Sequence, residues 1–128
     1  MKDFEKYFTG LKRDFGFCNV KNGYYDPKTN KLKFDPGDYG WAKRPITDKD
    51  YQDHLTGQKS IGLQACDDES MASFGAIDVD PDDYEKFDLQ KYLKVIDTKN
   101  LPVIPIESKS GGLHIYVFTK EKVPASLI

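Results

Sequence analysis

Two carboxylates spaced by one residue are the most chemically pointed feature of this chain. Phe74-Gly75-Ala76-Ile77-Asp78-Val79-Asp80-Pro81 reads as a strand that ends in them. Alternate residues of a strand share a face, so Asp78 and Asp80 point one way and Ile77 and Val79 the other, towards an apolar layer. Pro81 has no N–H to give to a ladder and stops the pairing. Neighbouring carboxylates repel unless a cation lies between them, and hard oxygen donors suit Mg²⁺ or Mn²⁺ better than zinc. A second stretch, Glu107-Ser108-Lys109-Ser110-Gly111-Gly112-Leu113-His114-Ile115-Tyr116-Val117-Phe118, reads as strand, glycine-rich loop, strand. Ser108, Lys109, Ser110, Gly111 and Gly112 bring hydroxyls, a cation and backbone N–H groups with little bulk, a combination that can cradle phosphate. His114, Tyr116 and Phe118 line one face of the following strand. Carboxylates for a metal, with a loop and a histidine for phosphate, describe a nucleotide site.

At these residues the sequence resembles the archaeo-eukaryotic primase superfamily, and most of all the primase-polymerases of phages and mobile elements. Asp-hydrophobic-Asp followed by Ser-Gly-Gly-x-His is similar to that family's motifs I and II. Lys43-Arg44-Pro45, Asp53-His54-Leu55-Thr56-Gly57 and Ser60-Ile61-Gly62-Leu63 resemble the lead-in to motif I, so the likeness covers roughly residues 41–118. The resemblance implies a DNA primase or polymerase: template-directed nucleotidyl transfer with two divalent ions, from nucleoside triphosphates onto a DNA template and primer. It implies Asp78 and Asp80 as metal ligands and His114, with Ser108 to Gly112, as triphosphate contacts. Lys43 joins them as a phosphate contact on the family likeness alone, against the bland alternative of a solvated loop. A helicase domain or partner and a (host) cytoplasmic setting are further implications. The family carries a third acidic motif on a later strand. After Phe118 the sole carboxylate is Glu121, too close behind motif II, so the chain reads as the front part of a catalytic domain.

The elements that must hold these residues can be followed along the chain. Phe4, Tyr7, Phe8, Leu11 and Phe15 recur at helical spacing and predict a helix over 2–15, weakened by Gly10. Its aromatic stripe is either a stacking platform for single-stranded nucleic acid or, the preferred reading, a face packed on the core. Tyr24-Tyr25 and Leu32-Lys33-Phe34 form a hairpin across the Asp26–Asn30 turn. Thr47, with Asp50 at the capping-box position, starts a helix that Gly57 stops. His54 on that helix is read as structural. Ser60 to Ala65 is a strand expected to pair antiparallel with the Asp78 strand through the acidic turn 66–70. Asp82 and Asp83 open a helix with Leu89, Tyr92, Leu93 and Ile96 inward. Leu101 to Glu107 returns as a strand. A calcium loop at Asp78-x-Asp80-x-Asp82 is rejected: Asp83 stands where glycine is needed and Leu89 where glutamate is.

The expectation is an α+β fold, a mixed or antiparallel sheet with helices on one face and Asp78, Asp80 and His114 on the open face. The resemblance makes it a palm like an RNA-recognition module, present here only in its front part. Residues 1–128 are read as a single domain, with a helical and loop lead-in over 1–58 and a strand core over 59–128. Hydrophobic residues at 38% argue for folding, and no run is long enough to span a membrane. Cys18 and Cys66 lack Cys-x-x-Cys spacing and read as free thiols. The net charge of −2 excludes a generally basic nucleic-acid binder. Residues 1–65 hold 12 Lys and Arg against 9 Asp and Glu, a mildly basic half before an acidic one. Two other classes stay open: a catalytically incomplete nucleotide or nucleic-acid-binding module, and a structural protein in which Asp78 and Asp80 are merely solvated.

Overall fold

The computed structural model describes residues 2–84, 86–108 and 111–128. Its elements run α1 (Lys2–Tyr7), β1 (Gly16–Cys18), β2 (Tyr24–Tyr25), β3 (Leu32–Lys33), β4 (Tyr39–Trp41), α2 (Asp48–Leu55), β5 (Ser60–Gly62), β6 (Met71–Val79), α3 (Leu89–Thr98), β7 (Ile104–Glu107) and β8 (Leu113–Pro124). The architecture is α+β, with antiparallel pairing in each sheet. The chain divides into two compact units, Met1–Met71 and Ala72–Ile128. The expected parts 1–58 and 59–128 do not coincide with them, because β5 belongs to the sheet of the first unit.

In the first unit, β1 lies between β4 and β5, antiparallel to both. The predicted pairing of β5 with β6 does not form. The Leu11 N–H donates to the Gln64 carbonyl at 2.9 Å, and a Cβ on Gly10 would be driven into that same carbonyl. The segment after β5 is thereby committed to the N-terminal chain. The same contact ends the predicted 2–15 helix early: α1 stops at Tyr7, and residues 10 and 11 lie against residue 64. Leu11 and Phe15 are still buried, but from irregular chain. Phe4 stacks on Phe8 at 4.7 Å and meets Tyr51 and His54 edge-on or tilted, so the N-terminal aromatics pack on α2.

Local chemistry was read more accurately. Tyr24 pairs with Lys33 and Tyr25 with Leu32. Asp26 holds the intervening turn by accepting from the N–H groups of Lys28 and Thr29 and by pairing with Lys33. At α2, Asp50 accepts from the Thr47 N–H at 3.0 Å, as a capping-box partner should, and also from the Thr47 hydroxyl at 2.6 Å.

In the second unit the strand order is β6-β8-β7. β7 pairs antiparallel with β8, Ile104 opposite Tyr116 and Ile106 opposite His114. Asp78 meets His114, and four residues back along β6 Phe74 stacks with Phe118, four residues on along β8. β6 is therefore antiparallel to β8 as well, and β6–α3–β7 is a crossover with β8 inserted between two parallel strands. The helix after Pro81 begins later than predicted. Pro81–Asp83 is a separate 3₁₀ turn, and α3 starts at Leu89 under an Asp88 cap that accepts from the Lys91 N–H at 3.1 Å. Asp80 takes the Asp82 N–H instead, which closes the short turn and leaves Asp82 and Asp83 exposed.

Candidate active site

Opposed residues of antiparallel strands share a face. One face of the β6-β8-β7 sheet therefore carries Asp78, His114 and Ile106 in one row. Ala76, Tyr116 and Ile104 form the next, and Phe74 and Phe118 the third. The rings of His114, Tyr116 and Phe118 follow one another at 6.3 and 6.2 Å, which confirms the shared side. At the end of this face His114 Nε2 lies 3.4 Å from Asp78 Oδ1, an ion pair whenever the imidazole is protonated. Asp78 is solvent-exposed and His114 half-buried, so the carboxylate is open to a ligand while the ring is anchored. Asp80, at the next alternate position, has one oxygen engaged by the Asp82 N–H at 3.2 Å.

The opposite face is built from Leu113 and Val79, 1% and 3% exposed. Gly75 also belongs there, and a Cβ on it would strike the Ile128 side chain. Ile77 was expected in that apolar layer and is instead 63% exposed. It lies on β6, an edge strand of this sheet, so only one flank is protected.

The glycine-rich loop is positioned by its own hydrogen bonds. Ser108 N–H donates to the Gly112 carbonyl at 2.9 Å, Gly111 N–H to the Ser108 carbonyl at 3.0 Å, and Gly112 N–H to Ser108 Oγ at 3.0 Å. Three of the N–H groups expected to face phosphate are thus spent on closing the turn. The two glycines serve different ends. Gly111 has φ +81°, left-handed backbone that favours glycine. Gly112 is crowded: a Cβ there would enter the Val79 carbonyl and stand 2.8 Å from Pro81 Cδ. The second glycine is what lets the loop rest on the end of β6, beside Asp80. Lys109 and Ser110 lie outside the described residues.

Lys43 lies in the first unit, exposed, with φ +51° and its N–H donating to Asp14 Oδ1 at 2.8 Å. Its neighbour Arg44 has a partner that sequence reasoning missed. Arg44 forks onto Asp50, Nη1 to Oδ2 at 2.8 Å and Nη2 to Oδ1 at 2.7 Å, and its guanidinium sits 5.0 Å from the centre of the Phe15 ring. Asp50 is 2% exposed, and the Arg44 fork, helped by Thr47, holds its carboxyl well below the usual carboxylate range against the effect of burial. Among the described residues no group of three or more His, Cys, Asp and Glu side chains is assembled to hold a metal ion.

The second unit is a split βαβ sheet with two carboxylates at one strand end, a histidine across from Asp78 and a tight glycine loop beside Asp80, an α+β arrangement consistent with part of a primase-like core. Residues 4–128 match the family model of the archaeo-eukaryotic primase domain of TOTE conflict systems, and the chain belongs to that family. No curated protein matches it. No helix among the described residues is long and apolar enough to cross a membrane.

Proposed function

We propose that this chain carries the metal- and triphosphate-binding part of a primase-type nucleotidyltransferase, which adds nucleotides to a DNA primer on a template. The observation that carries the reading is the Asp78–His114 contact at 3.4 Å across β6 and β8, beside the loop that Gly112 seats. The donor set fits a hard cation. Asp78 offers an exposed carboxylate and Asp80 retains one oxygen outside its turn, so these two residues would hold Mg²⁺ or Mn²⁺. When bound, such ions stabilise charge on the transferring phosphoryl group and lower the pKa of the attacking hydroxyl. His114, fixed by its neighbours Tyr116 and Asp78, donates a hydrogen bond to a phosphate oxygen and neutralises charge growing there. Ser108 keeps the loop closed; Lys109, Ser110, Gly111 and Gly112 enter as phosphate contacts on the sequence resemblance, as does Lys43. The family is that of the primase domains of TOTE conflict systems, and service in DNA replication is an extension of the sequence resemblance. A helicase partner and a phage origin remain extensions of the sequence resemblance.

A narrower reading draws on the same geometry. With two carboxylates and no assembled third donor among the described residues, the chain would bind nucleotide and metal without completing transfer. Thermal melting tests the shared core: Mn²⁺ should raise the melting temperature of the wild type and leave Asp78→Asn/Asp80→Asn unmoved. Equal shifts in both proteins refute the assignment.

A further inference from the structure

The β4-β1-β5 sheet has a face that the core does not use. Its register places Gly16 between Trp41 and Gly62, and Cys18 between Tyr39 and Ser60. Opposed residues share a side. Two aromatic rings therefore stand along one edge strand, and four small residues make a level floor beside them. Tyr39 and Trp41 are 56% and 52% exposed. Rings and floor line an open depression of about 360 Å³, and none of the nine residues around it is charged. In a chain of which 31% is Asp, Glu, Lys and Arg, an uncharged aromatic patch has the composition of the core of a protein–protein contact.

The floor is not something the fold demands. Neither Gly16 nor Gly62 has positive φ, and a Cβ at either would meet nothing nearer than 3.6 Å. The glycines cost strand stability and relieve no crowding within the chain. They keep the floor low, which matters only to something laid on it. The face carries both halves of such a fit: upright rings on one edge, and bare floor in the centre and on the other edge. Facing sheets pack about 10 Å apart with their strands nearly aligned. A twofold axis along β1 would set β4 of each copy over β5 of the other and keep the rows nearly in step. Trp41 would then meet Gly62, and Tyr39 would meet Ser60, large over small in both directions. Ring on ring would hold the sheets apart. No charge would be set against its own copy, since none lines the face.

We propose that two copies of this chain associate through the Tyr39–Trp41 face, the rings of each seated on the glycine floor of the other. The proposal goes beyond the Asp78–His114 site and needs neither metal nor triphosphate. The area sets its strength. An enclosed aromatic side chain buries about 150–250 Å², and half of that is still open on each ring. Rings and the floors they cover come to on the order of 800 Å² over two copies. A standard interface takes about 1,200–2,000 Å², so the contact is weak and reversible, with a micromolar to millimolar dissociation constant.

Sedimentation velocity in EDTA, between about 1 µM and 1 mM chain, should show a monomer–dimer equilibrium. Trp41 is the one tryptophan of the chain, so its emission should shift to the blue along the same concentration curve. Tyr39→Ala and Trp41→Ala should each weaken association at least about tenfold. Gly62→Val is the independent variant. A β-branched residue suits a strand and finds space there, so the monomer should melt no lower than the wild type while the dimer is lost. Cys18, on β1, would face Cys18 of the other copy across the axis, too far for a disulfide between sheets about 10 Å apart. In a Cys66→Ser background a short bismaleimide should therefore join two chains where an oxidant does not, and adding Gly62→Val should remove that cross-link. Asp78→Asn/Asp80→Asn should dimerise like the wild type, which separates this face from the proposed catalytic site. A chain that stays monomeric to about 1 mM, a dimer that survives Tyr39→Ala or Gly62→Val, or an emission that does not follow the dimer would overturn the proposal.

Discussion

Gly112→Ala is the substitution whose effect the structure specifies most closely. The new methyl would be forced into the Val79 carbonyl oxygen, 2.8 Å from Pro81 Cδ and 3.1 Å from Ser108 Oγ. Carbon atoms settle at about 3.5–4.0 Å, so the loop must withdraw from the end of β6 by roughly 1 Å. Backbone stands on one side of the clash and a proline ring on another, so no flexible side chain can yield. Overpacking of this kind costs about 1–3 kcal/mol, which lowers the melting temperature of a unit this small by on the order of 10 °C. Gly111→Ala is the matched comparison. Its Cβ would meet nothing within 4 Å, so only the left-handed backbone at φ +81° is penalised, by roughly 1–2 kcal/mol. Both variants should melt early, but only Gly112→Ala should part His114 from Asp78. The assay is thermal melting together with imidazole NMR, in which a His54→Gln reference assigns the two histidines of the chain. The His114 signal should move in Gly112→Ala and stay in Gly111→Ala. A Gly112→Ala protein with wild-type melting and an unmoved His114 signal would refute the reasoning.

Other outcomes follow from the same contacts. Asp50→Ala removes the acceptor for two Thr47 donors and for the Arg44 fork, and should destabilise the first unit by about 2–3 kcal/mol in urea unfolding, the cost of losing charge-assisted bonds at a buried group. Because the Asp50 carboxyl titrates lower folded than unfolded, its contribution is complete above about pH 5 and is lost as the pH falls through and below the ordinary carboxylate range; Asp50→Asn should flatten that acid limb, and an unchanged limb would contradict the fork's role. His114→Ala should weaken triphosphate binding by roughly 1–3 kcal/mol in calorimetry and do so alike for all four bases, since the contact is to phosphate; a base-selective loss would reverse the proposed orientation. With two carboxylates as the only proposed metal ligands, the 128-residue chain should extend a primed template at least about a thousandfold more slowly than a complete two-metal enzyme. Robust extension in Mn²⁺ would show that a further ligand is supplied from within residues 1–128 or by a second subunit.

What the sequence determined by itself was whatever depends on a few neighbouring residues. Alternation placed Asp78 and Asp80 at a strand end, and residue types at 108–114 marked a glycine loop and a histidine. Asp26 wrote its own turn and Asp50 its own capping box, because side-chain oxygens reach backbone donors two or three residues away. Tertiary structure decided wherever a backbone group had partners far along the chain. The apolar spacing over 2–15 is helical, yet the Leu11–Gln64 bond and the bare Gly10 leave its second half irregular. β5 pairs with β1 and not with its neighbour in sequence, and Arg44 forks onto the buried Asp50, a partner that no local pattern announces. Alternation cannot tell an edge strand from a central one, which is why Ile77 could be assigned a face but not its exposure. The same limit hid the Tyr39–Trp41 face, whose rings and glycines lie on three strands spread over residues 16–62 and share a side only through their register. Local preferences act through covalent neighbours, whereas register and burial are settled by the whole chain competing for the same partners.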